Sequence, residues 1–242
     1  GVCTANEYQF TPRMVSDGAG GAILTWFDDR SFDFDIYAQR ISASGATQWI
    51  ANGVAVCDAP GTQQTPTMAE DGAGGVVIAW EDFRDTIFSF DVYAQRLNAS
   101  GVPRWTANGV AVCGDDYDQF VPVVASDGAG GAIVAWQDDR NARPDIFAQR
   151  LSAAGAPQWT PDGVPVCGAI GTQQAPFIVS DGGGGAIVVW EDLRASLFNS
   201  DLYAQRVDPT GVVLWAPEGV PLTLAGAYSL AWEVQTELID KA

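Results

Sequence analysis

The sequence predicts an all-β fold, a β-propeller of four-stranded antiparallel blades, and three observations support that prediction. An apolar segment ending in Trp-x-Asp-x-Arg, followed by a variable stretch and Asp-aliphatic-aromatic-Ala-Gln-Arg, occurs four times. Its tryptophans are spaced by 54, 56 and 54 residues, a period typical of propellers and other repeat folds. Asp-Gly and Gly-Gly pairs, which favour hairpin turns, separate the short apolar runs. No segment shows a helical stripe of useful length.

Each repeat divides into four strands at its turn signals, as the third repeat illustrates. We predict a first strand at 121–126 and, after a Gly-rich turn, a second at 132–136 that is apolar on both faces. A third strand follows at 145–152. The fourth covers 158–159 and 164–167 with an interruption between them. Four short antiparallel strands per period indicate a propeller blade rather than a coil of a parallel β-helix.

We expect one repeat domain over 1–242 with a partial blade at each end. The four complete repeats cover about 11–57, 65–113, 121–167 and 175–223. Residues 1–3 match the end of a fourth strand, and 228–236 match a first strand. Three arrangements remain open: a closed four-bladed ring with extra terminal strands, a segment of a larger propeller, and half of a propeller that a second copy completes.

Charge and composition limit the partners and the compartment. The chain carries 30 acidic and 12 basic residues, a net charge of −18, which argues against nucleic acid and anionic membranes as partners. It contains no run of 18 apolar residues, so no membrane insertion is expected. We expect a secreted or surface-exposed bacterial protein.

The four cysteines occupy one repeat position and are expected to be free thiols. Equivalent positions in neighbouring blades lie about a blade width apart, beyond the ~5.5 Å Cα spacing of a disulfide. A zinc site is not expected, because the sequence has no histidine and no Cys-x-x-Cys pair. The cysteines are Cys3, Cys57, Cys113 and Cys167.

One turn carries a family resemblance. Residues 208–215 read Asp-Pro-Thr-Gly-Val-Val-Leu-Trp. They resemble the Asp-x-x-Thr-Gly-x-x-x-Trp docking motif of the quinone-dependent dehydrogenase propellers, and the chain as a whole resembles bacterial β-propeller repeat proteins. In that family the motif joins blades, so the resemblance implies a fold and not an activity. No quinone, calcium or haem ligand set of those dehydrogenases is present.

Residues that recur in every repeat are predicted to be structural, because each blade needs the same packing whereas a catalytic site is needed once. Residues two apart on a strand face the same way, so the aspartate and arginine of each Trp-x-Asp-x-Arg segment are expected to pair. The predicted structural set is Trp26, Asp28, Arg30, Trp80, Asp82, Arg84, Trp136, Asp138, Arg140, Trp190, Asp192 and Arg194.

Function is expected in the segments that differ between repeats. The second turn of each blade and the link to the next blade share one face of an up-and-down propeller, here called the variable face. Its loops are 31–34, 85–90, 141–144 and 195–200, and its links are 4–10, 58–64, 114–120 and 168–174.

Aromatic side chains beside carboxylates on this face suit sugar rings, which present apolar faces and hydroxyl groups. The acidic run 115–118 is also a possible source of Ca²⁺ ligands, since hard cations prefer oxygen, although it lacks EF-hand spacing. No other cofactor is predicted and no catalytic residue is assigned. The candidate ligand-binding residues are Tyr8, Phe32, Asp33, Phe34, Phe88, Phe90, Asp116, Tyr117 and Phe198.

Three functions are compatible with these features. The leading hypothesis is a non-catalytic extracellular propeller that binds a glycan or a protein. The first alternative is a structural or assembly protein that self-associates through its partial terminal blades, because unpaired strand edges attract partners. The second is a glycosidase-like hydrolase, whose chemistry needs two carboxylates and no histidine.

Overall fold

The chain is an all-β propeller with four blades. The computed structural model describes residues 1–84, 89–196 and 199–222. These residues form sixteen strands in four separate four-stranded antiparallel sheets and contain no helix. Within each sheet the strands pair in chain order. The fold class predicted from the repeat is therefore confirmed.

The four blades share one plan. Blade 1 contains β1 (Gln9–Ser16), β2 (Ala22–Asp28), β3 (Asp35–Ile41) and β4 (Val54–Cys57). Blade 2 contains β5 (Gln63–Glu70), β6 (Val76–Asp82), β7 (Asp91–Leu97) and β8 (Val110–Cys113). Blade 3 contains β9 (Gln119–Ser126), β10 (Ala132–Asp138), β11 (Asp145–Leu151) and β12 (Val164–Cys167). Blade 4 contains β13 (Gln173–Ser180), β14 (Ala186–Asp192), β15 (Asp201–Val207) and β16 (Val220–Pro221).

Two details of the strands differ from the sequence prediction. The first strand of blade 3 begins at Gln119, two residues before the predicted start. Residues 158–159 belong to no strand, because the chain there makes only an isolated bridge between Leu151 and Pro157. Residues 1–3 form no strand, and the partial blade predicted at 228–236 lies outside the described residues.

A β-bulge interrupts the first strand of every blade. In blade 3 the register with β10 shifts between Ala135 and Gln137, and Val121 has a φ of 48° just before Pro122. A bulge bends the strand and leaves a residue unpaired. Proline is tolerated there because it has no N–H to donate to the neighbouring strand. The equivalent residues with positive φ are Thr11, Thr65 and Ala175.

Each Trp-x-Asp-x-Arg segment forms the same buried cluster at the end of the second strand. In blade 2, Trp80 Nε1 donates to Asp82 Oδ2 at 2.7 Å, and Arg84 Nε donates to Asp82 Oδ1 at 2.8 Å. The Arg84 guanidinium lies 4.0 Å from the centroid of the Tyr93 ring. The aspartate is fully buried, so the arginine satisfies a charge that water cannot reach. The other clusters use Asp28, Asp138 and Asp192.

The cysteines connect each cluster to the preceding outer strand. Arg84 Nη2 lies 3.0 Å from Sγ of Cys57, which ends the fourth strand of blade 1. Cys3 lies in the same way 3.3 Å from Arg30 Nη2. All four cysteines are free, which confirms the sequence prediction. Burial raises the pKa of the Cys57, Cys113 and Cys167 thiols to about 12.

A second contact between neighbouring blades, here called the tryptophan joint, places a tryptophan ring against a turn glycine of the next blade. Trp49 Nε1 donates to the carbonyl of Ala99 at 3.2 Å. A Cβ on Gly101 would lie 2.7 Å from the Trp49 ring, so only glycine fits. The other two joints are Trp105 on Gly155 and Trp159 on Gly211.

No helix in the described part of the chain is long and apolar enough to span a bilayer.

Candidate functional site

The variable face is held together by backbone hydrogen bonds between a loop of one blade and the link into the next. The Gln119 N–H donates to the carbonyl of Phe90 at 2.7 Å, which fixes the link of blade 3 against the second loop of blade 2. The Gln63 and Gln173 N–H groups make equivalent bonds to Phe34 and Pro144. Side chains that meet at these junctions therefore come from two blades.

A cavity of about 330 Å³, here called the acid pocket, lies on the variable face where blades 2 and 3 meet. Three of its residues come from the link 114–120 and two follow β10. The pocket contains three carboxylates and a tyrosine whose side chain is exposed. Its lining residues are Ser89, Asp116, Tyr117, Asp118, Asp139 and Ala142.

Asp139 is the unusual carboxylate of this pocket. Its Oδ1 atom is buried and has no hydrogen-bond partner in the described part of the chain. Burial raises the pKa of Asp139, and the negative charge of Asp118 raises it further. Its backbone N–H donates to the carbonyl of Asp118 at 3.0 Å, which ties the two residues together.

Blade 1 contains a matched carboxylate in a different environment. Asp29 occupies the same repeat position as Asp139, between the aspartate and the arginine of the motif. Its Oδ1 accepts the Tyr8 N–H at 2.7 Å. The Asp139 side chain accepts no backbone N–H from the link of its own blade. The Asp139 backbone N–H does donate to a link carbonyl, as the Asp29 N–H does. At this repeat position, the carboxylate is therefore satisfied by the link in blade 1 and not in blade 3.

Asp118 provides a second, firmly positioned carboxylate. Its Oδ1 accepts the Phe90 N–H at 2.8 Å, a bond that crosses from blade 3 to blade 2. Gln119 Nε2 donates to the carbonyls of Asp115 and Tyr117 and so shapes the link around the pocket. Asp115 itself lies 4.0 Å from Arg140 Nη1 and takes no part in the pocket lining.

This arrangement is suited to acid–base chemistry. A carboxyl group whose pKa is raised retains a proton to higher pH and can donate it, while a neighbouring carboxylate can act as base or nucleophile. A carboxyl group with a raised pKa that shares a cleft with a second carboxylate is typical of catalytic sites.

Two of the candidate ligand-binding residues line the acid pocket, and a third lies beside it. Asp116 and Tyr117 are exposed at its edge. Phe90 is half-buried and packs on Phe83, with ring centroids 5.1 Å apart, while its N–H holds Asp118.

The candidates from blade 1 form a separate group. Tyr8 and Phe34 pack on Phe10, with ring centroids 5.9 and 5.8 Å apart. Phe32 and Asp33 are exposed at the tip of the loop. The structure therefore does not bring the aromatic candidates together into one platform. Phe88 and Phe198 lie outside the described residues.

Asp118 belongs to the acidic run that the sequence suggests as a source of Ca²⁺ ligands, but neither Asp118 nor Asp139 is among the candidate ligand-binding residues. Asp139 was missed because it lies inside a motif that recurs in every blade. The sequence does contain a clue to Asp139. The residue between the aspartate and the arginine of the motif varies, and is Asp, Phe, Asp and Leu in the four repeats. A position that changes between invariant neighbours is free to serve a purpose in one blade only.

A metal site and a second cavity can be compared with the acid pocket. The described residues contain no group of three or more His, Cys, Asp or Glu side chains placed to hold a metal ion, so Ca²⁺ binding stays a prediction. A larger cavity of about 520 Å³ follows the first strands at the propeller axis, and no carboxylate lines it. It offers no acid–base pair.

No protein-family model matches the sequence, and no curated protein matches it. Similar folds occur among solved structures. The α-L-arabinanase of Penicillium chrysogenum in complex with arabinobiose is 11% identical with a TM-score of 0.58, over 93% of this chain and 70% of that one. The endo-1,5-α-L-arabinanase of Thermotoga petrophila is 10% identical with a TM-score of 0.50, over 93% and 63%. A Dyadobacter fermentans protein of unknown function is 11% identical with a TM-score of 0.57, over 88% and 69%.

These similarities confirm the propeller fold, and at such low identity they show the fold alone. The leading functional hypothesis from the sequence, a non-catalytic binding module, is wrong on this comparison. Two of these similar structures are arabinanases, and neither is described as a non-catalytic binding module. The resemblance of 208–215 to the quinone-dependent dehydrogenases is not confirmed.

Proposed function

We propose that this propeller is a glycosidase-like hydrolase that acts at the acid pocket. The observation that carries the proposal is Asp139, whose buried and unpartnered Oδ1 lies in a cavity with a second, backbone-held carboxylate. A buried carboxylate oxygen without a partner destabilises a fold, and its place in a cavity beside a second carboxylate favours a catalytic purpose.

The two carboxyl groups have distinct roles in this proposal. Burial and the Asp118 charge raise the pKa of Asp139, which suits it to the role of the acid that protonates the departing glycosidic oxygen. Asp118, oriented by the Phe90 N–H, either takes a proton from the attacking water or attacks the sugar itself. In the second case water, deprotonated by Asp139, then hydrolyses the glycosyl–Asp118 bond. When the product leaves, Asp139 regains a proton from water or from Asp118.

Charge and shape support a neutral glycan as the substrate. The net charge of −18 and the three pocket carboxylates repel uronic or sialic acids. Tyr117 is 55% exposed at the pocket edge, where its ring can pack on a pyranose or furanose face. Because two of the similar structures are arabinanases, α-1,5-arabinan is the first substrate to test. A polymeric glycan substrate would place the protein outside the cell or on its surface.

The test is hydrolysis of a panel of neutral polysaccharides, with α-1,5-arabinan included, by the wild type and single variants. We expect Asp139→Asn and Asp118→Asn each to lower kcat by about 10²–10⁴-fold, the usual contribution of a general acid or base. Asp33→Asn, in an exposed loop outside the pocket, should keep full activity. Release of reducing ends measures all three.

Absence of hydrolysis on every neutral glycan would contradict the proposal. Equal activity of the wild type and Asp139→Asn would contradict it too, because the cleavage would then take place elsewhere.

A further inference from the structure

The link into blade 3 differs from the links into blades 2 and 4 at the place where the acid pocket lies. Residues 59–62 and 169–172 read Ala-Pro-Gly-Thr and Ala-Ile-Gly-Thr, whereas 115–118 reads Asp-Asp-Tyr-Asp. All three links end in the same way, because the carbonyl of their last residue accepts the N–H that follows the motif aspartate, at 2.8, 2.8 and 3.0 Å. The links therefore share one anchor, and they diverge just before it.

A glycine lets the links of blades 2 and 4 lie directly against their own blades. A Cβ built on Gly61 would collide with the carbonyl oxygen of Phe83, and one built on Gly171 would lie 2.8 Å from the Cα atom of Arg194. Both glycines have a positive φ, which Tyr117, their counterpart in blade 3, does not share. A residue with a side chain cannot lie so close to the end of the second strand. The link of blade 3 therefore stands away from that strand end, and the acid pocket lies between them.

The backbone of the blade 3 link is fixed by a buried glutamine. Gln119 is fully buried, and its Nε2 donates to the carbonyls of Asp115 and Tyr117. Among the described residues, its counterpart Gln63 in blade 2 donates to a single carbonyl, that of Gly61, at 3.3 Å. The extra bond holds the blade 3 link on both sides of residue 116. A sugar that binds the side chains of this segment meets a backbone that needs no further ordering, which favours affinity.

Two of the three carboxylates on this link have protein partners. Asp118 Oδ1 accepts the Phe90 N–H at 2.8 Å, and Asp115 lies 4.0 Å from Arg140 Nη1. The third, Asp116, is exposed, lines the acid pocket and accepts no hydrogen bond from the described part of the chain. Its counterparts in blades 2 and 4 are proline and isoleucine. Those two blades are therefore built without a carboxylate at this position.

We propose that Asp116 and Tyr117 select the glycan that the acid pocket accepts, an inference that rests on the proposed hydrolase function. The Tyr117 ring, 55% exposed, packs on one face of the bound sugar. The two oxygens of the Asp116 carboxylate accept hydrogen bonds from two neighbouring hydroxyl groups of that sugar. The substrate class is therefore a neutral glycan whose bound sugar has a free vicinal diol. Linear α-1,5-arabinan meets this requirement, because the hydroxyl groups on C2 and C3 of each ring are unsubstituted.

Steady-state kinetics on the polysaccharide that the wild type hydrolyses fastest test the role of each side chain. We expect Asp116→Ala to raise KM by roughly 10–100-fold, which is what a hydrogen bond to a charged group contributes, and to leave kcat nearly unchanged. Asp139→Asn should show the opposite pattern. Tyr117→Phe should keep the wild-type KM, and Tyr117→Ala should raise it by up to about tenfold. An unchanged KM in Asp116→Ala would overturn the proposal.

Asp115→Ala is the matched control. It removes one carboxylate from the same link, so it changes the net charge as Asp116→Ala does, and alanine is the residue that blades 2 and 4 have at this position. Asp115 takes no part in the pocket lining, so the variant should keep the wild-type KM. An equal rise of KM in both variants would mean that the charge of the link controls binding, and would also overturn the proposal.

Calorimetry tests the recognition without cleavage. The probe is the trisaccharide of the glycan that the wild type hydrolyses fastest, or α-1,5-arabinotriose if it hydrolyses none, together with the form that lacks one hydroxyl of the diol. Each is titrated into Asp139→Asn and into the same variant with Asp116→Ala added. We expect the deoxy form to bind Asp139→Asn roughly tenfold more weakly than the parent sugar, and both sugars to bind the double variant equally.

The outcomes separate this proposal from the proposed hydrolysis. No binding of the parent trisaccharide, or an equal loss on deoxygenation in both proteins, would overturn the role of Asp116. Binding that depends on Asp116, without hydrolysis of any glycan by the wild type, would contradict the hydrolase function alone. Hydrolysis with a KM that does not depend on Asp116 would contradict the recognition alone.

Discussion

At the scale of single residues, stability depends on the buried aspartate of each Trp-x-Asp-x-Arg cluster. Its two oxygens accept hydrogen bonds from an indole and from an arginine side chain and backbone N–H, as with Asp82. Cys57 of the neighbouring blade lies against the same guanidinium. One arginine therefore takes part in an ion pair with the aspartate, a contact with an aromatic ring and a contact with the neighbouring blade.

Removing that arginine should be costly. We expect Arg84→Ala to lower the free energy of unfolding by about 3–5 kcal/mol, because it leaves the fully buried Asp82 charge without its cation. Arg104→Ala, at an exposed arginine with no ion pair among the described residues, should change it by less than about 0.5 kcal/mol. Urea unfolding followed by tryptophan fluorescence compares the two, and similar losses would show that the cluster is not what stabilises the blade.

The same clusters predict loss of stability in acid. Burial alone would raise the pKa of Asp28 and Asp192, but the hydrogen bonds from arginine and tryptophan outweigh it and lower both pKa values below 3.8. A lowered folded-state pKa stabilises the fold above the unfolded value, and this stabilisation disappears as pH falls through the folded value. We expect the melting temperature to fall steeply below about pH 4. A melting temperature unchanged between pH 5 and pH 2 would contradict this.

At the scale of elements, the turns and strands follow from short-range sequence signals. The second and third strands were predictable because Asp-Gly and Ser/Thr-Gly turns bound their apolar or alternating runs. The bulge in the first strand was not, since Val121 gives no sign of a positive φ. The sequence places residues 158–159 in the fourth strand, yet they lie outside it because Trp159 packs on Gly211 of the next blade.

The turn glycines at the tryptophan joints should be irreplaceable. A Cβ on Gly155 would lie 2.7 Å from the Trp105 ring, whereas one on Gly128, also with positive φ, meets nothing within 4 Å. We expect Gly128→Ala to cost about 1–2 kcal/mol of backbone strain, and Gly155→Ala to cost a further 1–3 kcal/mol, roughly, from overpacking. Thermal unfolding of the two variants measures the difference. Equal losses would mean that the joint adjusts without strain.

At the scale of the whole molecule, the sequence predicted the scaffold better than the site. A repeated motif reports contacts that each blade makes in the same way, so the fold class and the order of strands within a blade could be predicted. The acid pocket depends on which link meets which blade, and on one carboxylate losing the backbone partner that its counterpart keeps. Neither the contact between link and blade nor the lost hydrogen bond can be predicted from the sequence positions of Asp118 and Asp139.

The functional prediction changed for the same reason. The sequence offered exposed aromatic residues on the variable face and no carboxylate that stood apart from the repeats, which favoured binding over catalysis. The structure places Asp139 and Asp118 in one cavity with Asp116 and Tyr117.

The central claim is that a residue becomes catalytic where one blade departs from the pattern that the others keep. Asp139→Asn and Asp29→Asn make the same chemical change at equivalent positions of blades 3 and 1, and the rate of glycan hydrolysis by each tests the claim directly. We predict that Asp139→Asn loses about 10²–10⁴-fold in rate while Asp29→Asn, whose amide oxygen can still accept the Tyr8 N–H, keeps the wild-type rate. Equal rates for the two variants, whether both active or both inactive, would contradict the account.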